Sequence, residues 1–159
     1  MHRPTFIVDI NVGKLARWLR ALGYDTVFIN PIDDDELIEI ALRENRIILT
    51  KDSGIMRRRV VTSGRVTAVH IKHTDWREQL SQVIHTFKLR NHAPFTRCVK
   101  CNSLLECCPH DKAAAEVPAF VLRTQEEFFS CPGCRRIYWR GSHWQRMKRA
   151  LNYISTPMS

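Results

Sequence analysis

A chain of 159 residues, 44% of them hydrophobic, is long enough for one domain of roughly 100 residues and a smaller unit beside it. No apolar run reaches the roughly 18 to 20 residues needed to span a bilayer, and the start, Met1 to Asp9, lacks a signal-peptide core with a small-residue cleavage site. A membrane protein is thereby excluded and a cytoplasmic one expected, while the net charge of +9 favours nucleic acid as a partner over any cationic one.

The first ninety residues alternate apolar runs with helical patterns. Thr5-Phe6-Ile7-Val8 reads as a buried strand. Val12, Leu15, Ala16, Leu19 and Leu22 recur at helical spacing, and Gly23 is placed to stop that helix. Thr26-Val27-Phe28-Ile29 is a second strand, broken by Pro31. Asp33, Asp34 and Asp35 occupy the N-cap and first turn of a second helix, where carboxylates meet the positive end of the helix dipole. Leu37, Ile38, Ala41 and Leu42 carry it forward. Arg46–Thr50 is a third strand and Val66–Ile71 a fourth, with a short basic helix over 53–62 between them. Trp76, Leu80, Val83, Ile84 and Phe87 mark a further amphipathic helix. Strands starting about every 20 residues with a helix between each pair give βαβ rhythm, hence a parallel sheet covered on both faces in three layers.

A linker around Asn91-His92-Ala93-Pro94 divides the chain into an α/β domain over 1–93 and a smaller unit over 94–159. The basic excess is +4 over residues 1–95 and +5 over the shorter remainder. Cys98-Val99-Lys100-Cys101 and Cys131-Pro132-Gly133-Cys134 are two knuckles that can supply four thiolates to one tetrahedral zinc ion. Four thiolates leave no coordination position for water, so this zinc is structural. The 29 residues between the knuckles exceed the usual ribbon spacing and imply an insertion or a long hairpin. Cys107, Cys108 and His110 lie inside it; they either replace a knuckle, form a second site or are incidental, and their spacing favours the last. Arg135–Trp139 reads as a strand and residues 144–154 as a C-terminal amphipathic helix packing back on the rest. Trp139, His143 and Trp144 either stack on bases or pack the ribbon, and packing is preferred because a small ribbon has little other core.

In a parallel α/β sheet, chemistry gathers at the carboxyl ends of the strands. Asp9 ends the first strand, Asp33 to Asp35 follow the second, and Asp52 follows the third. Acids converging on one edge repel one another unless a hard divalent cation such as Mg²⁺ or Mn²⁺ lies between them. Such an ion activates water and stabilises the leaving oxygen in phosphodiester cleavage. Asp33 is better explained as a helix cap, and Asp35 and Glu36 also serve as ordinary first-turn acids. Lys14, Arg17, Lys51 and the run Arg57-Arg58-Arg59 lie near the same edge, either to hold phosphates or as a solvated basic face.

The segments Asp9 to Asp25, Asp34-Asp35-Glu36-Leu37 and Arg46 to Asp52 resemble the Mut-seven C-terminal RNase domain family. The cysteine pairs and Ile137-Tyr138-Trp139-Arg140-Gly141-Ser142-His143-Trp144 are similar to that family's zinc ribbon. The resemblance covers nearly the whole chain. It implies an α/β, PIN-like domain with a central parallel sheet, a C-terminal zinc ribbon and a metal-dependent ribonuclease activity, for which an endoribonuclease is the first expectation. Asp9 and Asp52 match the family's first acid and the acid after the third strand; Asp34 best matches the acid opening the second helix, with Asp35 beside it. Asp75 is the remaining candidate for a fourth. The implied catalytic set is Asp9, Asp34, Asp35 and Asp52, with Mg²⁺ or Mn²⁺ on Asp9, Asp34 and Asp52, zinc on the four cysteines, and Lys14, Arg17, Lys51 and Arg57 on RNA. A non-catalytic RNA- or ribosome-binding module of the same fold is the alternative. Receiver domains and haloacid dehalogenase phosphatases are disfavoured, because neither acid pair fits Asp9-Ile10-Asn11.

Overall fold

Short apolar strands buried on both faces are stable only when helices cover each side, and this chain supplies them in alternation. The computed structural model describes residues 2–90 and 93–155. In chain order the first part contains β1 (Phe6–Val8), α1 (Lys14–Ala21), β2 (Thr26–Val27), α2 (Asp34–Glu44) and β3 (Ile47–Thr50). It continues with α3 (Ser53–Met56), α4 (Arg59–Thr62), β4 (Ala68–His70) and α5 (Trp76–Phe87). The four strands are parallel, in the order β2-β1-β3-β4, with Ile7 opposite Val27 on one side and Ile48 on the other.

Strand side chains alternate between the two faces. Phe6 and Val8 pack with α1 and α5 residues such as Leu15, Leu19, Leu80 and Val83. Ile7 and Ile48 point the other way, against Leu37, Ile38 and Ala41 of α2 and Ile55 of α3. The result is the expected three-layer α/β arrangement. β2 is shorter than the apolar run Thr26–Ile29 suggests, because Phe28 leaves the sheet and packs into the α1 layer. The basic helix expected over 53–62 is two single turns, interrupted where Arg58 adopts an extended backbone and caps α4. Gly23 ends the first helix at φ +94, and a Cβ there would stand 2.3 Å from the Ala93 carbonyl oxygen.

The linker expected at Asn91–Pro94 lies partly outside the described residues. Beyond it come β5 (Glu106–Cys108), α6 (His110–Ala114), α7 (Ala119–Thr124), β6 (Phe128–Ser130), β7 (Ile137–Tyr138) and α8 (Ser142–Ser155). The three strands form an antiparallel sheet in the order β5-β6-β7. The long spacer between the knuckles is therefore a hairpin carrying a pair of short helices, which pack through Ala113, Val117 and Val121 on Phe128. Among the described residues no helix is long and apolar enough to cross a membrane.

α8 does not belong to the ribbon's own core. Met147, Leu151 and Ile154 join the cluster of Phe6, Leu15, Leu80 and Ile84, so the last helix completes the layer over α1 and α5. Leu151 is 1% exposed. Leu151→Ala should therefore lower the stability of the α/β core by about 2–5 kcal/mol, read from a denaturant midpoint; a loss below about 0.5 kcal/mol would mean that α8 is not part of that core.

Candidate functional site

The order β2-β1-β3-β4 puts the reversal of strand order between β1 and β3, and a crevice opens at the carboxyl ends of such a pair. Asp9 stands at the end of β1, 5% exposed, and caps the 3-10 turn Ile10–Val12. Its Oδ1 accepts from the Ile10 N–H at 2.8 Å and its Oδ2 from the Thr50 hydroxyl at 2.7 Å. Thr50, fully buried at the end of β3, in turn accepts from the Asp52 N–H at 2.9 Å. Asp52 caps α3 through a 2.7 Å bond from the Gly54 N–H to its Oδ1.

Asp34 is the first residue of α2 and lies at the surface, while Asp33 performs the cap by accepting from the Glu36 N–H at 2.8 Å. Partial loss of solvent around its carboxyl raises Asp34 above the ordinary aspartate range although the residue is exposed, and the negative charges of Asp52 and Asp9 raise it further, against an opposing effect of Arg58. Three acids from three separate loops thus share one electrostatic neighbourhood. Asp35 is turned outward, its side chain 86% exposed and paired with Arg58. Asp75 caps α5 through the Arg77 N–H and pairs with the Arg77 side chain.

The basic residues surround this edge unevenly. Lys14 opens α1 and is exposed. The Lys51 amide donates to Asn11 at 3.2 Å, and Arg57 ends α3 at the surface. Arg17, one turn into α1, contacts His143 Nε2 at 2.7 Å, so α1 and the start of α8 meet there.

The second constellation is the cysteine set. Cys98, Cys101, Cys131 and Cys134 have their sulfurs all within 4.8 Å of one another, and among the described residues they are the only such group of three or more metal-binding side chains. Asp9, Asp34 and Asp52 are neighbours in charge but not a preformed cage of that kind. Two sulfur separations, Cys101–Cys131 at 3.2 Å and Cys98–Cys134 at 3.6 Å, approach the edge of about 3.8 Å expected for a tetrahedron with zinc–sulfur bonds of about 2.3 Å. The all-sulfur donor set fits zinc. Burial opposes ionisation of the Cys101 thiol, but hydrogen bonding with Ser103, Cys131 and Cys98 brings it down to about 6. Burial pushes the Cys131 thiol up to about 11.

Cys107 and Cys108 lie on β5, outside the cluster, and His110 packs edge-on against Phe128. Trp139 also packs on Phe128, and Trp144 on Phe95 with ring centroids 5.1 Å apart. Sequence reasoning missed three residues that hold the two centres in place. Thr50 orients Asp9 and Asp52. Tyr138 lies 2.9 Å from Cys98 Sγ, a partner outside the ligand shell of the kind that orients metal ligands. Arg20, 6% exposed, donates from Nη1 to the carbonyls of Val99 and Lys100, each at 3.2 Å. The signal for Thr50 was present in Thr50-Lys51-Asp52, a polar residue ending a buried strand two positions before an acid. Nothing at the sequence level pairs Arg20 with a knuckle 79 residues away.

The model of the Mut7-C RNAse domain family matches residues 4–151, a span that includes the acidic edge and all four cysteines. No curated protein and no solved structure gives a significant match.

The raised Asp34 carboxyl makes a signed prediction. The folded state holds this proton more tightly than the unfolded chain, so stability falls as pH rises from the ordinary aspartate value, about 3.9, through the raised one. Asp34→Asn removes that penalty. With chelator for Mg²⁺ present, the variant should melt on the order of 1 °C higher than wild type at pH 7 and no higher at pH 3. A wild type more stable than Asp34→Asn at pH 7 would contradict the repulsion.

Proposed function

Since the chain belongs to the Mut7-C RNAse domain family, we propose that it is a metal-dependent endoribonuclease whose chemistry resides at Asp9, Asp34 and Asp52. The observation that carries this reading is the convergence of three carboxylates from separate loops at the reversal of strand order, where Asp52 and Asp9 raise the cost of ionising Asp34. Uncompensated acids at a strand edge cost stability, and a divalent cation removes that cost. The donor set is all carboxylate oxygen, which suits Mg²⁺ or Mn²⁺. Asp9, Asp34 and Asp52 would hold such an ion, which would supply charge neutralisation at the phosphate and a more acidic water.

The protein's own part is orientation and charge. Thr50 fixes the Asp9 carboxylate toward the edge, and the backbone of α3 fixes Asp52. Asp35, paired with Arg58, keeps a cation beside Asp34 and belongs to the site as a positioning group. Lys14, Lys51 and Arg57 offer phosphate contacts around the edge, and Arg17 extends them toward the C-terminal unit. That unit, which we take as residues 94–159 following a nuclease domain over 1–93, is held by one zinc ion on the four cysteines and grips RNA through its basic surface. In the reducing cytoplasm these thiols stay available for zinc.

A second reading, an RNA-binding module without turnover, is favoured by two observations: the three carboxylates do not form a ready metal cage among the described residues, and Asp75 is engaged as a cap. Cleavage assays separate the two. With total RNA and Mg²⁺ or Mn²⁺, wild type should generate new ends, and Asp9→Asn or Asp52→Asn should slow this by roughly 100-fold or more while RNA binding persists. Salt-sensitive binding with no turnover in any divalent metal would select the second reading instead.

The zinc role has its own test. Cys101→Ser or Cys131→Ser should release bound zinc, measured with a chromogenic chelator, and lower Tm by roughly 10 °C. Full zinc retention by both variants would remove these cysteines from the ligand set.

A further inference from the structure

The antiparallel sheet and α8 do not close on each other. Between them lies a cleft of about 720 Å³, within the size range of small-ligand sites. Phe95, Phe129, Tyr138, Trp139 and Trp144 line it, and all five remain only half-buried. Phe128, on the same sheet, is by contrast 3% exposed. The fully charged side chains of the lining are Arg97, Arg140 and Lys148, with no acid among them. Two of these cations already stand over the Trp144 ring, Lys148 Nζ at 4.9 Å and Arg140 Cζ at 5.5 Å from its centroid. Arg97 donates from Nη1 to the Asn102 carbonyl at 2.9 Å, while its buried Nε has no partner among the described residues.

A ligand suited to this cleft has flat π faces with negative charge beside them. Arg140 already pairs with Glu127 at 3.5 Å, but an acyl chain or apolar peptide would offer Lys148 no counter-charge, whereas a nucleotide offers a flat face to the rings and a phosphate to the cations. We propose that the cleft is a nucleotide subsite that takes an unstacked base of single-stranded RNA between its aromatic walls, with Arg140 and Lys148 on the flanking phosphates. The choice of RNA rests on the ribonuclease reading above.

A neighbouring cleft of about 500 Å³ shares Tyr138, Trp139 and His143 with the first. It adds Arg17, Lys100, Arg135 and Arg136 against a single acid, Glu116. Arg17 belongs to α1, which follows the turn that Asp9 caps. A strand anchored by a base in the aromatic cleft therefore has a cationic path toward the helix that borders the acidic edge. Stacking accepts any base, so the subsite fixes where the strand is held rather than which sequence is cut.

The test uses zinc-loaded, full-length protein without Mg²⁺ or Mn²⁺, so that the RNA stays intact. Fluorescence anisotropy compares a labelled single-stranded RNA with the same strand carrying abasic positions. The base-bearing strand should bind about 5- to 100-fold more tightly, and Trp144→Leu should abolish that difference. Arg140→Gln with Lys148→Gln alters exposed side chains only, and answers if Trp144→Leu fails to fold. The double variant should weaken binding and reduce the salt slope by roughly 1 to 2. Equal binding of the two strands, wild-type binding by the variants, or no RNA binding at all would overturn the subsite. A protein that cuts RNA with Mg²⁺ yet binds both strands alike would lose the subsite and keep the nuclease. Base-dependent binding without cutting would do the reverse.

Discussion

One buried hydroxyl, that of Thr50, ties β1 to β3 at the place where both strands end. It donates a hydrogen bond to the Asp9 carboxylate and accepts one from the Asp52 amide, so the two acids are held through a single side chain. The tie is possible because β1 and β3 are adjacent and parallel, which brings their last residues to the same edge. It is stiff because Ile7, Val8, Ile48 and Leu49 beneath it are all 1% exposed or less. Asp34 then senses both carboxylates from the opening of α2. The acidic edge is thus a property of strand order first and of particular acids second.

A second seam joins the cysteine knuckle to the outer edge of the same sheet. Asn102, just after the knuckle, accepts from the Thr26 amide of β2 at 3.0 Å and donates to Asp25 at 2.7 Å. Burial would raise the Asp25 carboxyl, but the hydrogen bonds from Arg46 and Asn102 outweigh it and hold it below the usual range. Arg20 crosses from α1 to the knuckle carbonyls, near the sulfurs of Cys101 and Cys98. The four-cysteine centre is fastened to the α/β layers by buried polar groups rather than hung from a linker. Hydrogen bonds of this kind set orientation more than they add stability.

Much of this was legible in the chain. Apolar runs with βαβ spacing give a parallel sheet, and two Cys-x-x-Cys turns give a four-sulfur cluster, because both signals are local and periodic. Asp33 is a cap, as its position before a helical run requires. The early exit of Phe28 from the sheet was not legible, since it depends on the surface of α1 beneath it. Nor was the break at Arg58, whose partner Asp35 comes from another helix. Trp139 and Trp144 could be assigned to packing by composition, but the open cleft they border arises only when β7 and α8 are set side by side. Long-range polar pairs such as Arg17 with His143 leave no trace in spacing.

The place of α8 also bears on the order in which the protein is made. β1 and α1 leave the ribosome first, yet the surface they bury is shared with Met147, Leu151 and Ile154 from the other end of the chain. During synthesis the nascent α/β layers must wait with that apolar surface uncovered while the whole cysteine unit is translated. Both knuckles emerge before α8 does. The sheet whose edge carries the acids therefore becomes fully packed only after the cysteine unit has been translated.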